Sequence, residues 1–486
     1  MDFNIISLML KNSIKFAVIL LACVIVAMIV SIFFKLSLLI VPATFVFCAF
    51  IWAIFKNPTF GIFVVAFLLP FERIGSFDVV NITIRPSQIF ALVTILAYLL
   101  AFLVRKERFN IKNPLLIPAF FFLGFSILSM VNSENFQRNI SVFLFNAFVI
   151  AVALILPNLI KNQKILTKTI YLILLSTILV SLFGLYQFLG DMIGLSPSLT
   201  GLRLLYTKAV FGFPRVQSTF LEPLYFANFL LIPIASCLSF LLSQLKQRYS
   251  ALKTLGLISI LALASINLIL TLSRGGYIAF AFLLCLTFLI YFKSFLSLKR
   301  ILILAIIGLF AFLSVWQFLK FTGQEKNIQV FLEHATAISK TEDVATKERY
   351  TTFSSAWEMI KEHPILGSGP GSFGPYVAAS PYVMPQDGWA IVNNLFLEIW
   401  AEEGIFGLIT FLAMLLIIIL RTLKAWQIAN QTRQIFLKTI LLGLFIAFLA
   451  ILVQYQTFSI LYILHFWFLI GILVTCQNLI LEKQDA

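Results

Sequence analysis

Charge is what this chain has least of. Asp, Glu, Lys and Arg together make up 11% of its 486 residues, against roughly a quarter in soluble globular proteins. With 61% hydrophobic residues and a mean hydropathy of +1.02, that scarcity excludes a soluble enzyme and a disordered chain. Only lipid solvates so much apolar surface. Cysteine and histidine are scarce as well. Cys23, Cys48, Cys237, Cys285 and Cys476 all fall inside apolar runs, none with metal-ligand spacing. This excludes a disulfide framework or a zinc site and reads them as packing residues. Of the histidines, His334 reads as exposed, His363 as a helix-end residue before a proline, and His465 as packed or hydrogen-bonded within an apolar span. No Ser-His-Asp, HExxH or Walker pattern occurs, so hydrolase, zinc-peptidase and ATPase readings lack support, and nothing calls for a metal or a cofactor. Polar–apolar alternation is also missing, which excludes a transmembrane β-barrel. No fixed-period repeat or low-complexity tract is present.

What the chain has instead is unbroken apolar sequence. Fourteen runs stand out: 16–34, 36–55, 57–71, 88–104, 114–131, 140–160, 168–190, 223–245, 251–272, 275–292, 300–320, 404–420, 436–453 and 458–480. At about 20 residues per span, they predict an all-α polytopic membrane protein of about 12–14 transmembrane helices, the run 57–71 being short for a span. The run 16–34 is too long for a cleavable signal and reads as a retained first helix.

The net charge of +15 would suggest nucleic acid in a soluble protein. Here the informative feature is which loops hold the charge. Basic clusters at Arg105–Lys112, Lys161–Lys168, Lys246–Lys253, Lys293–Arg300 and Arg421–Lys438 alternate with acidic or neutral loops. Together with the termini and Lys56, the basic face carries +17 and the opposite face −2. The positive-inside rule then puts both termini in the cytoplasm and the other loops outside, with the bilayer as partner rather than nucleic acid. The loops divide the chain into an N-terminal bundle (1–222, with an outer loop over 191–222), central helices (223–320), a long extracytoplasmic loop (321–403) and C-terminal helices (404–486).

Long loops in compact membrane proteins usually carry function. In the long loop, Phe353, Trp357 and Ile360 recur at helical spacing between Arg349 and His363, and Pro364 and Gly367 stop that helix. The Gly/Pro-rich stretch Leu366–Pro375 reads either as a connector or as backbone amides facing an anion. A second helix is expected to begin near Asn393, which can cap it, and to enter a span at Gly404. Arg274, in Thr271-Leu-Ser-Arg-Gly-Gly-Tyr277, reads as a turn residue or as a fixed cation for a phosphate, since guanidinium stays charged and binds two oxygens at once. Arg349 is a solvated loop charge or a second such cation. Arg215 and Glu222 lie together in Phe213-Pro-Arg-Val-Gln-Ser-Thr-Phe-Leu-Glu-Pro223. Glu222 sits where a helix re-enters the membrane, as a first-turn carboxylate or as a base or sugar-hydroxyl acceptor.

These motifs resemble the O-antigen ligase/O-antigen polymerase superfamily. The resemblance rests on Ser273-Arg-Gly-Gly276 opening a span, on the long loop with Arg349, Trp357 and His363-Pro-Ile-Leu-Gly-Ser-Gly-Pro-Gly-Ser-Phe373, and on Asn394-Leu-Phe-Leu-Glu-Ile-Trp-Ala-Glu402-Glu-Gly404-Ile-Phe-Gly407. The last is similar to an "HN..L...E.G..G" segment, and Arg215 to Pro223 is similar to an "R..GTF..P" stretch. The match covers about 270–410, and the topology extends it over the chain. The resemblance implies a polytopic, GT-C-like glycosyltransferase of the cell envelope. Its donor would be an undecaprenyl-diphosphate-linked glycan. Its acceptor would be lipid A core of lipopolysaccharide in a ligase, or another repeat unit in a polymerase. It further implies that Arg274 and Arg349 hold the diphosphate. The family's histidine falls at Asn393, which orients a hydroxyl but takes no proton at neutral pH. That departure favours a polymerase-like member and leaves Glu222, Glu398 or Glu402 to serve as base. A transporter or flippase of lipid-linked glycans is the alternative, and it would call for internal pseudo-symmetry between halves and ionisable residues at mid-membrane.

Overall fold

A helix is the one open-ended way to satisfy every backbone N–H and C=O in lipid, and each apolar run within the described residues becomes one. The computed structural model describes residues 40–79, 82–105, 113–207, 212–243, 250–292, 344–385 and 388–482. The runs 16–34 and 300–320, with Cys23 and His334, lie outside them. The long helices are α1 (Ile40–Lys56), α2 (Pro58–Leu68), α3 (Pro86–Arg105), α4 (Leu116–Ser129), α5 (Phe136–Leu159), α6 (Gln163–Met192), α7 (Pro223–Ser243), α8 (Ala251–Leu270), α9 (Arg274–Ile290), α10 (Val344–Glu362), α11 (Leu395–Gln431), α12 (Ile435–Gln454) and α13 (Leu464–Leu481). Eight of them are long and apolar enough to cross a membrane, and four shorter apolar helices accompany these among the described residues. The protein is an all-α polytopic membrane protein. Among the described residues two short strands pair, β1 (Phe77–Val79) against β2 (Ile82–Ile84), antiparallel with Phe77 opposite Ile84.

The chain divides into two units, one of residues 1–65 and 88–109, the other of 66–87 and 110–486. In the first, Gly61 of α2 lies against the Thr94 hydroxyl of α3, where any Cβ would collide. The rings of Phe47 and Phe50 meet Phe90 at 5.5 and 6.0 Å. In the second, α7, α12 and α13 form the buried centre, and small residues let the backbones close up. Gly443 sits against Ser236 and Ser239, and Gly471 against Ala153 and Leu156. A polar network pins the three centrally. His465 Nε2 lies 2.8 Å from Asn228 Oδ1, Asn228 donates to Gln454 Oε1 at 3.0 Å, and Gln454 donates to the Leu224 carbonyl at 3.2 Å. Such contacts are favoured where hydrocarbon offers no alternative partner. Cys237 and Cys476 are buried, whereas Cys48 and Cys285 are exposed on their helices.

Alternating helix direction brings one set of ends together in the second unit. The loops 66–87, 130–135, 193–222, 271–274, 363–394 and 455–463 interlock by hydrogen bonds. Backbone amides donate from Arg73 to the Thr219 carbonyl at 2.9 Å, from Val216 to Leu270 at 3.0 Å and from Leu395 to Tyr455 at 2.9 Å, and the Asn132 side-chain amide donates to the Gly367 carbonyl at 2.9 Å. Ser218, Leu272 and Asn393, three of the four non-glycine residues with positive φ among those described, lie in these loops. Strained backbone of this kind concentrates at functional sites.

Candidate active site

The Ser273-Arg-Gly-Gly276 turn is built by a cap and by missing side chains. Ser273 Oγ accepts from Gly276 N at 3.2 Å and caps α9. Gly275 packs on Thr457 and Gly276 on Ala227, so neither tolerates a Cβ without displacement. Arg274 is thereby fixed at the first position of α9, against the loop 455–463. The neighbouring Thr271 carbonyl accepts from Arg215 Nε at 3.5 Å. The Arg215 guanidinium lies 5.8 Å from the Tyr206 ring centre, and its backbone donates to the Tyr206 carbonyl.

Arg349 arrives on α10, a longer helix than the sequence suggests, so that Arg349 stands in its second turn. The face α10 buries is Ala356, Met359 and Ile360, with Phe353 at its edge, against Phe373, Val392 and Ala401. Trp357 is instead 46% exposed and meets Trp400 edge-on at 5.7 Å. Thr352, one turn beyond Arg349, donates to the Val392 carbonyl at 3.0 Å. This ties the Arg349 turn to the segment carrying Asn393.

Arg274 thus lies within electrostatic reach of both Arg215 and Arg349, each distant from it in sequence. Burial, and then the like charge of Arg274, hold Arg349 below the usual arginine range. Burial is also the main cause of the lowering at Arg215, to which Arg274 contributes. Beyond Arg215 the field continues to residues that sequence motifs did not single out. Arg203 reaches Tyr206 and Glu222. Arg73 is lowered by burial and then by Arg203. Burial raises Glu222 above the usual carboxylate range, and Arg203 and Arg215 partly offset this.

Glu398, Glu402 and Asn393 have a different setting. Glu402 accepts from Gly371 N at 2.7 Å on Oε2 and from Phe373 N at 3.0 Å on Oε1. The Gly/Pro-rich turn therefore does gather amides, and what they gather around is the carboxyl group of Glu402 in the chain itself. Of the turn's other amides, Ser368 N donates to the Ala401 carbonyl and Gly369 N to the Glu402 carbonyl, both on α11. Gly369, at φ +100° against Asn139, is a position only glycine fills. Glu398 Oε2 accepts from Val392 N at 2.8 Å and from the Ser459 hydroxyl, and Ser459 Oγ accepts from Asn393 N at 3.1 Å. Asn393 stands at φ +63°, just before the helix. The cap of α11 is Asn394, one residue later than the sequence suggested, with Oδ1 accepting from Phe396 N and Leu397 N at 3.1 Å each. Asn393 is freed for another role because an αL residue cannot itself cap in the usual extended geometry. At Gly404, φ +71° breaks α11 where the sequence placed the entry to the span.

Below this layer lies a cavity of about 30 Å³, lined by Arg138, Glu398, Glu402, Glu403, Ser459 and Tyr462 among others. It has room for water and none for a sugar. Arg138 donates to the Gly371 carbonyl at 2.6 Å and lies over the Trp389 ring at 5.1 Å. Glu403, 2% exposed, leaves Oε2 without a partner. Neither residue carried a motif, and only their places beside Asn135 and Glu402 could have drawn notice.

The molecule is therefore a multi-pass membrane protein whose loops concentrate half-buried cationic side chains at one end of a helical bundle. Residues 257–412 match the family model described as O-antigen ligase, about a third of the chain and the part that carries Arg274, Arg349, Asn393 and Glu402. That match bears out the resemblance to the O-antigen ligase/polymerase superfamily and supports a function of that type. No curated protein matches the chain.

Proposed function

We propose that the protein is a membrane glycosyltransferase that moves a glycan from undecaprenyl diphosphate onto an acceptor glycan or lipid at the outer face of the cytoplasmic membrane. Both termini are then cytoplasmic and the interlocked loops extracytoplasmic, a reading supported by the basic charge of the alternate loops in the sequence. The observation that carries this reading is that Arg274 lies within electrostatic reach of both Arg215 and Arg349. Like charges are brought together, and partly buried, where an oligoanion is to be held.

In this reading the guanidinium groups hold the diphosphate and stabilise the charge that grows on it. The acceptor hydroxyl oxygen bonds to the anomeric carbon. The bond from that carbon to the diphosphate oxygen breaks, and its electron pair leaves with the phosphate. The hydroxyl proton passes to Glu222, whose carboxylate is made more basic by burial. Asn393 orients the hydroxyl. Glu398 and Glu402 are positioning residues, since backbone amides and Ser459 occupy their oxygens. Asn in place of the family's histidine favours polymerase-like chemistry.

The test is turnover of a lipid-diphosphate oligosaccharide by the purified full chain, with and without a separate acceptor. Extension without one identifies a polymerase. Arg274→Ala and Arg349→Ala are each expected to abolish product while the protein still accumulates in membranes. Normal chain lengths from either variant would refute the diphosphate assignment.

A further inference from the structure

The small cavity below the candidate site carries more acid than base. Arg138 and Asn146 line it from one face of α5, Glu398, Glu402 and Glu403 from α11, and Ser459 from the loop between α12 and α13. Three carboxyl groups thus share one guanidinium. Two of the three are provided for. Glu402 takes the Gly371 and Phe373 amides, and Glu398 takes Val392 N and the Ser459 hydroxyl. The Arg138 guanidinium lies within electrostatic reach of both.

Glu403 has no such company. The charged groups it feels are Glu402 and Glu398, acids like itself, and its Oε2 has no hydrogen-bond partner. Asn146 Oδ1, on the α5 side of the same cavity, has none either. Each residue is 2% exposed, so bulk water does not serve these oxygens. A buried carboxylate without a counter-charge costs several kcal/mol, and an unpaired buried carbonyl about 1–3 kcal/mol. Both oxygens accept, so neither can answer the other. One positive charge between the α5 and α11 walls answers both.

The backbone adds to this. Gly404, at φ +71°, breaks α11 directly after Glu403. Glu403 therefore stands at the C-terminal end of the first part of the helix, where the dipole favours a cation. Broken membrane helices hold Na⁺ at ends of this kind. The donor set decides the charge. Among the described residues no three of His, Cys, Asp and Glu gather as metal ligands. Ca²⁺ takes about six to eight oxygens, and this cavity of about 30 Å³ has room for one small ion or water.

We propose that Glu403 and Asn146 bind one monovalent metal cation, Na⁺, between α5 and the break in α11. The ion ties these helices together beside Ser459, which receives the Asn393 amide. The inference goes beyond the glycosyl-transfer reading and does not depend on it.

The experiment follows thermal unfolding of the full chain in nanodiscs of neutral lipid, with NaCl replacing choline chloride at constant ionic strength and pH. Wild type is expected to melt at higher temperature as Na⁺ rises, by mass action on the folded state. Glu403→Gln keeps the size and removes the charge, and is expected to melt alike in both salts. Asn146→Ala loses one ligand and is expected to need about tenfold more Na⁺ for the same rise. It carries the test if Glu403→Gln does not fold. Glu358→Gln, on the exposed face of α10, is expected to respond as wild type does. A wild type indifferent to Na⁺, or a Glu403→Gln protein that responds as strongly, would overturn the site. A wild type stabilised by acid in choline but not by Na⁺ holds a proton on Glu403 instead, which also overturns it. No glycan donor enters this assay, so failure here leaves the transfer reading standing, and failure of turnover leaves the ion site standing.

Discussion

Replacing Glu402 by Gln tests whether this carboxylate does chemistry or holds the Gly/Pro-rich turn. Its two oxygens receive two backbone amides at 2.7 and 3.0 Å, and it is 7% exposed. Gln keeps one oxygen and turns an N–H₂ group toward the other amide, so a donor faces a donor. A hydrogen bond to a charged group contributes about 1.5–3 kcal/mol, and a buried amide left unpaired costs about 1–3 kcal/mol. The expected loss is therefore about 2–4 kcal/mol, centred on Gly371–Phe373. Asp gives no relief, because a side chain shorter by one methylene cannot reach both amides from α11. Thermal unfolding of purified protein in detergent, followed by tryptophan fluorescence, reads the loss as a drop of several degrees. The turn packs beside Trp389, through Gly374. Residual glycosyl transfer measured below the lowered transition is expected to survive. A Glu402→Gln protein that melts like wild type but transfers nothing would refute the anchoring role and make Glu402 the base.

Further outcomes follow from the same geometry. Glu222→Gln is expected to abolish transfer yet stabilise the fold. Burial raises the folded-state value, so between the ordinary carboxyl value and the raised one the native state binds more protons, and stability falls as pH rises through that window. Removing the titration removes that loss at neutral pH, and a Glu222→Gln protein no more stable than wild type at pH 7 would count against it. The acid limb of the wild-type rate profile is expected to lie above the ordinary carboxyl range for the same reason. Asn393→Gly suits the φ of +63° and is expected to keep stability within about 1 kcal/mol while lowering transfer. Introducing Asn393→His on top of Glu222→Gln is expected to restore measurable transfer with a midpoint near the imidazole value of about 6.5. No recovery in a folded double variant would separate Asn393 from the acceptor hydroxyl. Gly275→Ala drives a methyl into Thr457 and is expected to cost about 1–3 kcal/mol, with partial recovery on adding Thr457→Ala, since 2.9 Å to the Thr457 Cβ remains.

The helices were legible because lipid imposes one rule on every segment. Each apolar run between 36 and 290 became a helix within a few residues, while the run 404–420 became the middle of a longer helix over 395–431. The Ser273-Arg-Gly-Gly276 turn was legible too, since a cap and two glycines before an apolar run have a local meaning. What the sequence withheld was pairing at long range. Arg73 meets Gly201 across 128 positions, and no local pattern announces that. The Gly/Pro-rich turn was open between connector and anion cradle, and its resolution depended on Glu402 reaching back 31 positions to Gly371. Asn393 and Asn394 are equally good caps by composition. The second is the cap, while Asn393 is left-handed with its amide donating to the Ser459 hydroxyl.

Because the Glu402 carboxyl group is what the glycine turn encircles, the loop arrives already folded around a guest of its own. An incoming lipid carrier has no floppy segment to organise, so little of its binding free energy is diverted into ordering protein. More of it remains for aligning the two reacting sugars, the contribution that raises turnover rather than mere occupancy.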